Sequence, residues 1–382
     1  MSRPPTHRAE IVVDLAAIRH NVRLLREIAG PGVQMMTVVK ADGYGHGMAV
    51  VAAAARAAGA EWLGVATIDE AVAVRDAGDT GRLLCWLDVP GEQYAAAIAR
   101  RVDLTAYSPV ELADVAAAAR SLGTTARLQL KVDTGLARGG ATSDDWPELV
   151  RAARKAELAG DVRVTGIWSH FAASDEPDHP ANDLQERAFA EALDIAAEAG
   201  LAPDVRHLAN SAATVLRPSS RYDLVRCGIA SYGLDPAPGH THDLGLVPAM
   251  TAQGRLAMVK RVPAGAGVSY GHTWVADRDT TVGLVPMGYG DGVLRHASNT
   301  AEAWAAGRRR PVRGRICMDQ FVVDLDGDLP DPGDTVVLFG TGEQGEPTAQ
   351  DWAEACGTIS YEIVTRIGGR MSRVVVDSEV DG

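Results

Sequence analysis

Three consecutive segments near the start of the chain decide the fold: residues 33–40 (VQMMTVVK), 41–47 (ADGYGHG) and 48–58 (MAVVAAAARAA). The first is rich in Val, Met and Thr, which suits a buried β-strand. The second is punctuated by glycines, which favour a loop. The third consists mainly of good helix formers, with apolar side chains three or four residues apart. Together they predict one strand–loop–helix unit.

This unit recurs along the chain as far as about residue 235. Eight strand-like runs cover 33–40, 61–67, 82–88, 103–108, 126–133, 162–170, 204–210 and 224–232, with helix-like segments such as 46–58, 69–77, 109–121, 145–159 and 182–199 between them. Eight such units imply parallel strands covered by crossover helices, and a closed (β/α)8 barrel of the TIM type arranges them most simply. A doubly wound open sheet is the alternative, but no G-x-G-x-x-G fingerprint follows the first strand.

After about residue 238 the pattern changes to short β-rich runs separated by Pro and Gly, at 253–262, 281–287, 310–324 and 335–339. Such runs predict a smaller C-terminal β-strand domain. We therefore expect an α/β barrel domain over residues 10–238 and a β-rich domain over 239–382. Residues 1–14 are expected to join the second domain, and Asp14 is expected to cap a helix over 15–28.

The charge balance argues against nucleic acid or an anionic membrane as a partner. The 382 residues include 37 Lys and Arg and 50 Asp and Glu, which gives a net charge of −13 at pH 7. The acidic residues are spread along the chain, and a surface of that kind repels phosphate-rich polymers and bilayers. A small-molecule substrate is compatible with this balance because its site can have a local field of its own.

Cysteine usage and apolar segments indicate a soluble, cytoplasmic protein. The four cysteines lie far apart without a C-x-x-C pair, so neither a zinc site nor a disulfide framework is predicted. The first ten residues, MSRPPTHRAE, contain no apolar signal-peptide core. The longest alanine-rich run, residues 48–60, is interrupted by Arg56 and is too short to span a bilayer.

Lys40 is the first candidate for chemistry, because a barrel enzyme has its active site at the carboxyl ends of the strands. A lysine that closes an apolar run is partly desolvated there, which lowers its pKa and favours attack on a carbonyl. Lys40 is therefore a candidate Schiff-base residue. An isolated lysine more often pairs with an acid such as Asp42, but the glycines that follow Lys40 allow a ligand to approach the backbone.

Other strand-like runs also end in polar side chains, which would meet at the same face of the barrel. Lys131 and Arg138 follow the fifth run, His170 ends the sixth, His207 and Ser211 follow the seventh, and Arg226 lies in the eighth. Each has an ordinary structural explanation, such as a hydrogen-bonded core histidine, but their convergence favours a site. The Ser211 hydroxyl and the amides of Gly228 and Ile229 could cradle a phosphate.

Motifs along nearly the whole chain resemble those of alanine racemases. VVKADGYGHG (38–47) is similar to the family's attachment site for pyridoxal 5′-phosphate (PLP). The other motifs are LKVDTGLAR (130–138), SHFAASDE (169–176), HLANSAA (207–213), VRCGIASYG (225–233), VSYG (268–271), GYGDG (288–292), ICMDQ (316–320) and TISYE (358–362). The resemblance implies a PLP-binding barrel followed by a C-terminal β domain.

The resemblance also implies a role for individual residues. Lys40 would hold PLP as an aldimine and serve as one acid/base, and Tyr270 would be the second. Tyr44, Ser211, Gly228, Ile229 and Tyr361 match the phosphate-binding set, Arg226 the residue facing the pyridine nitrogen, and His170 the one near the ring. Arg138 and Met318 match contacts to the substrate carboxylate, Tyr289 a residue at the entrance, and Lys131 a lysine that is carboxylated in some relatives.

The activity implied is the interconversion of L- and D-alanine by two-base proton transfer, with D-alanine supplied for peptidoglycan. The resemblance implies a homodimer with shared active sites, in which Tyr270 and Met318 act at the Lys40 of the partner. Arginine at the ring nitrogen should leave that nitrogen unprotonated, because a guanidinium gives up its proton reluctantly. That arrangement would suppress transamination.

Several alternatives remain at this stage. The nearest is a racemase for serine or of broad specificity, because a single methylene contributes only about 1–3 kcal/mol of discrimination. A metal-dependent barrel hydrolase would use carboxylated Lys131, His170 and His207 as ligands, but Lys40 and Arg226 stand where that class has other residues, and we predict no metal. A non-catalytic PLP-binding barrel would lack the β domain. A PLP decarboxylase would have an acid in place of Arg226.

Overall fold

The computed structural model describes residues 4–378 and divides into two compact units. Of the described residues, the barrel unit contains Ile18–Gly43 and Gly47–Leu246, and the sheet unit contains 4–17, Tyr44–His46 and 247–378. The chain starts with strand β1 (Ala9–Asp14), and helix α1 (Leu15–Ala29) follows it. The Asp14 carboxylate accepts a hydrogen bond from the Ala16 amide at 2.9 Å, as a cap of this helix does. The domain boundary at residue 238 stays a prediction.

Eight parallel strands form the barrel unit, and this confirms the predicted fold class. They are β2 (Gln34–Val38), β3 (Trp62–Val65), β4 (Arg82–Cys85), β5 (Asp103–Ala106), β6 (Ala126–Lys131), β7 (Val162–Trp168), β8 (Val205–His207) and β9 (Leu224–Cys227). They pair in the order β8-β7-β6-β5-β4-β3-β2-β9. Hydrogen bonds from Asp223 N to Arg206 O and from Arg226 N to Ala209 O link β8 to β9, so the ring is nearly closed.

Helices connect these strands, as crossover connections of a parallel sheet require. They are α2 (Met48–Ala57), α3 (Ile68–Asp76), α4 (Tyr94–Ala99), α5 (Pro109–Ser121), α6 (Trp146–Leu158), α7 (Ala181–Glu198) and α8 (Ser211–Leu216). Thr67 and Glu70 form a capping box at the start of α3, and the Ser108 side chain accepts from the Glu111 amide at the start of α5. These caps fix where each strand end gives way to helix.

A nine-stranded sheet dominates the sheet unit, so the predicted C-terminal β-rich domain is also confirmed. Its later strands are β10 (Met250–Arg255), β11 (Met258–Val262), β14 (Thr280–Val285), β15 (Glu302–Ala305), β16 (Arg308–Arg313), β17 (Phe321–Asp324), β18 (Thr335–Phe339) and β19 (Ser372–Val376); β12 (Gly267–Val268) and β13 (Trp274–Val275) form a separate pair. Strand β1 lies between β10, with which it is antiparallel, and β19, with which it is parallel. Helices α9 (Ala349–Cys356) and α10 (Ser360–Arg366) precede β19.

Within residues 4–378, every helix is too short or too polar to cross a membrane.

Candidate active site

Lys40 stands at the carboxyl end of β2, directly before a left-handed turn of the backbone. Ala41, Asp42 and Gly43 have φ angles of 52°, 52° and 62°, and Tyr44 has a φ of 52°. Left-handed helical backbone costs a residue with a Cβ about 1–2 kcal/mol. The predicted helix at 46–58 consequently begins only at Met48. Strain of this kind clusters at functional sites, because the surrounding contacts must maintain it.

Several hydrogen bonds hold this turn. The Gly43 amide donates to Val39 O at 2.9 Å, and the Asp42 carboxylate accepts from the Met48 amide at 2.9 Å. The amide of Ala41 donates to a carboxylate oxygen of Glu70 at 2.7 Å. The backbone that carries Lys40 is therefore fixed both from within the turn and from α3.

Burial lowers the pKa of Lys40, and the charge of Arg138 lowers that pKa further, whereas Glu70 raises it. The ammonium nitrogen lies 5.8 Å from the centre of the Trp86 ring. A lysine in this environment reaches its neutral, nucleophilic form at a lower pH than a lysine in water. Lys40 is therefore suited both to attack a carbonyl and to accept a proton.

Lys131, at the end of β6, is a second lysine whose pKa is lowered. Burial lowers its pKa to about 8, with further contributions from Arg226 and Arg138. Its ammonium nitrogen lies 4.6 Å from the centre of the Trp168 ring and 5.6 Å from that of Tyr107. A sizeable fraction of Lys131 is consequently neutral near pH 8.

Arg226 is buried in the barrel and donates hydrogen bonds in several directions. One terminal nitrogen donates to His207 Nδ1 and to His207 O, both at 3.1 Å. The other donates to Ser169 O at 2.8 Å, to His170 Nδ1 at 3.1 Å and to Leu208 O at 3.2 Å. Burial lowers the pKa of Arg226 to about 9, so the guanidinium stays charged at neutral pH.

Both histidines beside Arg226 are neutral. Burial, followed by the charge of Arg226, lowers the pKa of His170 and of His207 well below the usual value. Because a guanidinium can only donate, Nδ1 of each ring accepts and the ring proton is on Nε2. His207 Nε2 then donates to the Gln129 side-chain oxygen at 2.7 Å. Gln129, His207, Arg226 and His170 thus form one chain of hydrogen bonds.

The predicted phosphate-binding residues of the barrel unit lie together. The Ser211 hydroxyl accepts from the Gly228 amide at 2.9 Å and lies 3.5 Å from that of Ala230. Ile229 begins a turn of 3-10 helix directly after Gly228. Successive amides in such a turn form a concave site for an anion.

Tyr44 and Tyr361 also lie together, in the sheet unit. Their ring centroids are 6.2 Å apart. Gly45 makes this possible, because a Cβ at that position would lie 2.3 Å from the carbonyl oxygen of Val364 in α10. Arg373 of β19 donates to Gly45 O at 3.0 Å. The short segment Tyr44–His46 is therefore bound tightly to α10 and β19.

Tyr270 lies in a strained loop of the sheet unit. Ser269 before it has φ 60° and ψ −171°, and Gly271 and His272 after it have φ angles of 71° and 44°. The hydroxyl of Ser269 donates to Arg315 O at 2.6 Å. The Tyr270 side chain itself is 68% exposed on the single chain. A phenol so exposed needs another surface against it before it can act as a base in a dry site.

Tyr289 and Met318 lie on two loops that hydrogen-bond to each other. Tyr289 N donates to Cys317 O at 3.0 Å, and Gly290 N donates to Met318 O at 2.8 Å. Both side chains are exposed on the single chain, at 44% and 54%. The buried carboxylate of Asp291 holds the first loop through ion pairs with Arg8 and Arg370.

The structure identifies functional neighbours that the motifs did not: Glu70, Trp86, Gln129 and Trp168. Only Glu70 had a signal in the sequence, as the last residue of the capping pattern that starts at Thr67. Arg138 lies after β6, exposed, in a loop whose amides donate to the Asp133 carboxylate.

Among residues 4–378, no group of three His, Cys, Asp or Glu side chains suits a metal ion. His170 and His207 use Nδ1 to accept from Arg226, which argues against the metal-hydrolase alternative.

Comparisons with known proteins agree along the length of the chain. Family models described as the alanine racemase N-terminal and C-terminal domains match residues 13–236 and 249–375. The alanine racemase of Salinispora arenicola is 54% identical over 361 residues, 94% of this chain and 96% of the relative. That of Streptomyces coelicolor is 54% identical over 377 residues, 97% and 96% of the two chains. The crystal structure of alanine racemase from D-cycloserine-producing Streptomyces lavendulae has a TM-score of 0.96 at 51% identity, covering 98% of each chain.

Proposed function

Because this chain belongs to the alanine racemase family, we propose that it interconverts L- and D-alanine by proton transfer at Cα, with Lys40 and Tyr270 as the two acid/base side chains. The observation that carries the proposal is the environment of Lys40, which ends a barrel strand, adjoins a strained turn and has a pKa lowered by burial. Racemisation needs one acid/base group on each face of Cα, because one group removes the proton and the group on the opposite face donates one.

The residues present fit PLP as the cofactor. Lys40 would attach it, Arg226 and His170 would contact its ring, and the phosphate would lie among Tyr44, Ser211, Gly228, Ile229 and Tyr361. The support for the phosphate site is the pairing of the Ser211 hydroxyl with the Gly228 amide, and the approach of Tyr44 to Tyr361 that Gly45 permits. When bound, PLP supplies the electron sink that makes the Cα proton of an amino acid acidic.

Lys40 and Tyr270 must each reach a different protonation state before they can accept a proton. Lys40 must be neutral to accept a proton, and burial favours that form. Tyr270 must lose its proton, although free tyrosine has a pKa of about 10. We propose that the positive charge of Arg226, transmitted through neutral His170, favours the tyrosinate. In our proposal Arg138 and Met318 bind the substrate carboxylate, and Tyr289 lines the entrance.

Arg226 has a second proposed role. Its charge and its hydrogen bonds to carbonyl groups and histidines hold its protons, so it does not protonate the ring nitrogen of the cofactor. A cofactor without that proton is a weaker electron sink. Arg226 would thus favour return of the proton to Cα over its delivery to the cofactor, the step that leads to transamination.

We also propose a homodimer with shared sites, in which Tyr270 and Met318 of one chain complete the site around Lys40 of the other. The exposure of Tyr270 and Met318 on the single chain supports this arrangement. The product, D-alanine, would serve peptidoglycan synthesis in the cytoplasm.

Lys131 is proposed to be carboxylated, because a pKa of about 8 leaves the neutral amine that such a modification requires.

Spectroscopy combined with a product assay tests the function. The purified protein should show an absorbance band at about 420 nm, the region of a PLP–lysine imine, and should form D-alanine from L-alanine. Lys40→Ala should lose both. A band without racemisation of alanine, but with racemisation of serine, would move the substrate to another amino acid. No band after addition of PLP would overturn the assignment.

A further inference from the structure

Glu70 connects the ends of two neighbouring barrel strands. One of its carboxylate oxygens accepts from the amide of Ala41, the residue after Lys40, at 2.7 Å. The other accepts from the amides of Ala66 and Thr67, just beyond β3, at 2.8 and 3.2 Å. A capping glutamate needs only the second set of contacts to start its helix. The bond to Ala41 is an additional contact.

The additional contact falls on the first residue of the left-handed turn that follows Lys40. Ala41 has φ 52° and ψ 51°, a conformation that residues with a Cβ rarely adopt. A strained conformation persists only where surrounding groups fix it. The carboxylate of Glu70 accepts from the first amide of this turn. It therefore acts where the extended backbone of β2 passes into the left-handed conformation.

Glu70 also contributes charge. The charge of Arg138, on the loop after β6, lowers the pKa of Lys40, while His170 at the end of β7 is neutral. Against that charge, Glu70 on α3 is a carboxylate that favours the ammonium form of Lys40. The same side chain therefore acts on the backbone and on the proton affinity of Lys40.

From these contacts we propose that Glu70 is a positioning residue for Lys40, which fixes the left-handed turn after Lys40 and offsets the positive charge of Arg138. This inference rests on the proposed function only in its prediction that racemase activity falls when Glu70 is replaced. It assigns to Glu70 a role beyond capping α3, and it predicts that the capping contacts alone are insufficient for activity.

The chain offers a matched control in Glu111. Its carboxylate accepts from the Tyr107 amide at 2.7 Å, and its own amide donates to the Ser108 hydroxyl at 3.4 Å. Glu111 thus caps α5 as Glu70 caps α3, in the same barrel and with a Glu side chain. Glu111 is absent from the charges that shift the pKa of Lys40.

The kinetic test compares Glu70→Gln with Glu111→Gln in the PLP-loaded enzyme. Glutamine keeps the size of the side chain but has one acceptor oxygen and no charge, so it cannot serve both strand ends. We expect kcat to fall about 10–100-fold in Glu70→Gln with KM little changed, as for a displaced reactive group. Glu111→Gln should keep wild-type kinetics. Equal losses in the two variants would reduce Glu70 to a helix cap and overturn the proposal.

A second readout does not depend on racemisation. The full chain is stripped of PLP and treated with a small acylating reagent at a series of pH values. Mass spectrometry gives the rate of Lys40 modification at each pH, and the midpoint of that curve reports the titration of Lys40. Glu70→Gln should shift the midpoint to lower pH, whereas Glu111→Gln should not. Glu70→Asp keeps the charge but has a shorter side chain. The pH midpoint of Lys40 acylation should therefore return close to the wild-type value while kcat stays low. An unchanged midpoint in Glu70→Gln would refute the charge role even if the chain were no racemase.

Discussion

Arg226 illustrates how much one side chain can depend on its neighbours. Its terminal nitrogens satisfy carbonyl oxygens of Ser169, His207 and Leu208 as well as two histidine rings. Any replacement must therefore be assessed both for chemistry and for the acceptors that it leaves unpaired.

Arg226→Glu should raise transamination, because a carboxylate can hold a proton on the cofactor's ring nitrogen. We expect pyruvate formation from alanine to increase while racemisation falls at least about 100-fold, the loss typical of a removed electrostatic group. A coupled lactate dehydrogenase assay measures the pyruvate. Arg226→Lys, which keeps the positive charge, is the control and should not gain transaminase activity. No gain in Arg226→Glu would count against the proposed role.

A second residue, Asp88, is predicted to destabilise the fold at neutral pH. Burial raises its pKa to about 6, above the ordinary value of 3.8. The folded state therefore binds the proton more tightly, and stability falls as the pH rises from about 4 through 6. Asp88→Asn removes this cost and should raise the free energy of unfolding at pH 7.5 by about 1 kcal/mol.

Urea unfolding of Asp88→Asn and the wild type at pH 7.5 and pH 4 measures this effect. The gain should be present at pH 7.5 and much smaller at pH 4, where the folded wild-type carboxyl is protonated and the unfolded one, with its ordinary pKa of 3.8, is partly protonated. A gain that is equal at the two pH values would show that packing rather than ionisation is responsible.

At the scale of elements, the approach of α10 to the Tyr44 segment depends on Gly45. Its φ is 81°, and an added Cβ would lie 2.3 Å from Val364 O. Gly45→Ala should destabilise the fold by about 2–4 kcal/mol, the sum of an unfavourable φ and overpacking. It should also weaken PLP binding, because Tyr44 and Tyr361 would be pushed apart.

Gly160→Ala is the matched control for Gly45→Ala. Gly160 has a φ of 82° but nothing within 4 Å of the added Cβ. Denaturant unfolding and PLP titration of both variants isolate the steric contribution. If the two alanine variants lost equal stability and bound PLP equally well, close approach of α10 would not be the reason for glycine at 45.

The sequence was informative about elements and about the identity of site residues, and less so about conformation. Alternating apolar and alanine-rich segments predicted the eight barrel strands, because that pattern reflects burial. The glycines at 43, 45 and 47 suggested a permissive loop, yet Ala41 and Asp42 adopt the left-handed conformation without being glycine. Tertiary contacts such as that of Glu70 impose it, and a contact between residues 41 and 70 has no local pattern.

The site shows the same limit. Lys40 could be identified because it ends a strand and lies within a distinctive motif. Gln129 could not, because its relevance arises only when β6, β8 and β9 bring it to His207 and then to Arg226. A glutamine inside a strand has no feature in the sequence that separates this role from ordinary packing.

At the scale of the whole molecule, the proposed dimer makes a quantitative prediction. Lys40→Ala and Tyr270→Phe should each be inactive as homodimers. If the partner supplies Tyr270, a mixed dimer contains one intact site, so a refolded equimolar mixture should recover about a quarter of wild-type activity. Sites built within one chain would show no recovery. Light scattering on the same samples measures whether dimers form.

The position of β1 between β10 and β19 has a consequence for the order of events at the ribosome. β1 is among the first segments made, but β10 begins at Met250 and β19 at Ser372. At about 5–20 residues per second, the nascent chain extends for roughly 10–50 s before β1 can meet β10. Throughout that time Ile11 and Val13, fully buried in the finished sheet, lack their partners. Cotranslational folding can therefore complete the barrel while β1 is still without its partners β10 and β19.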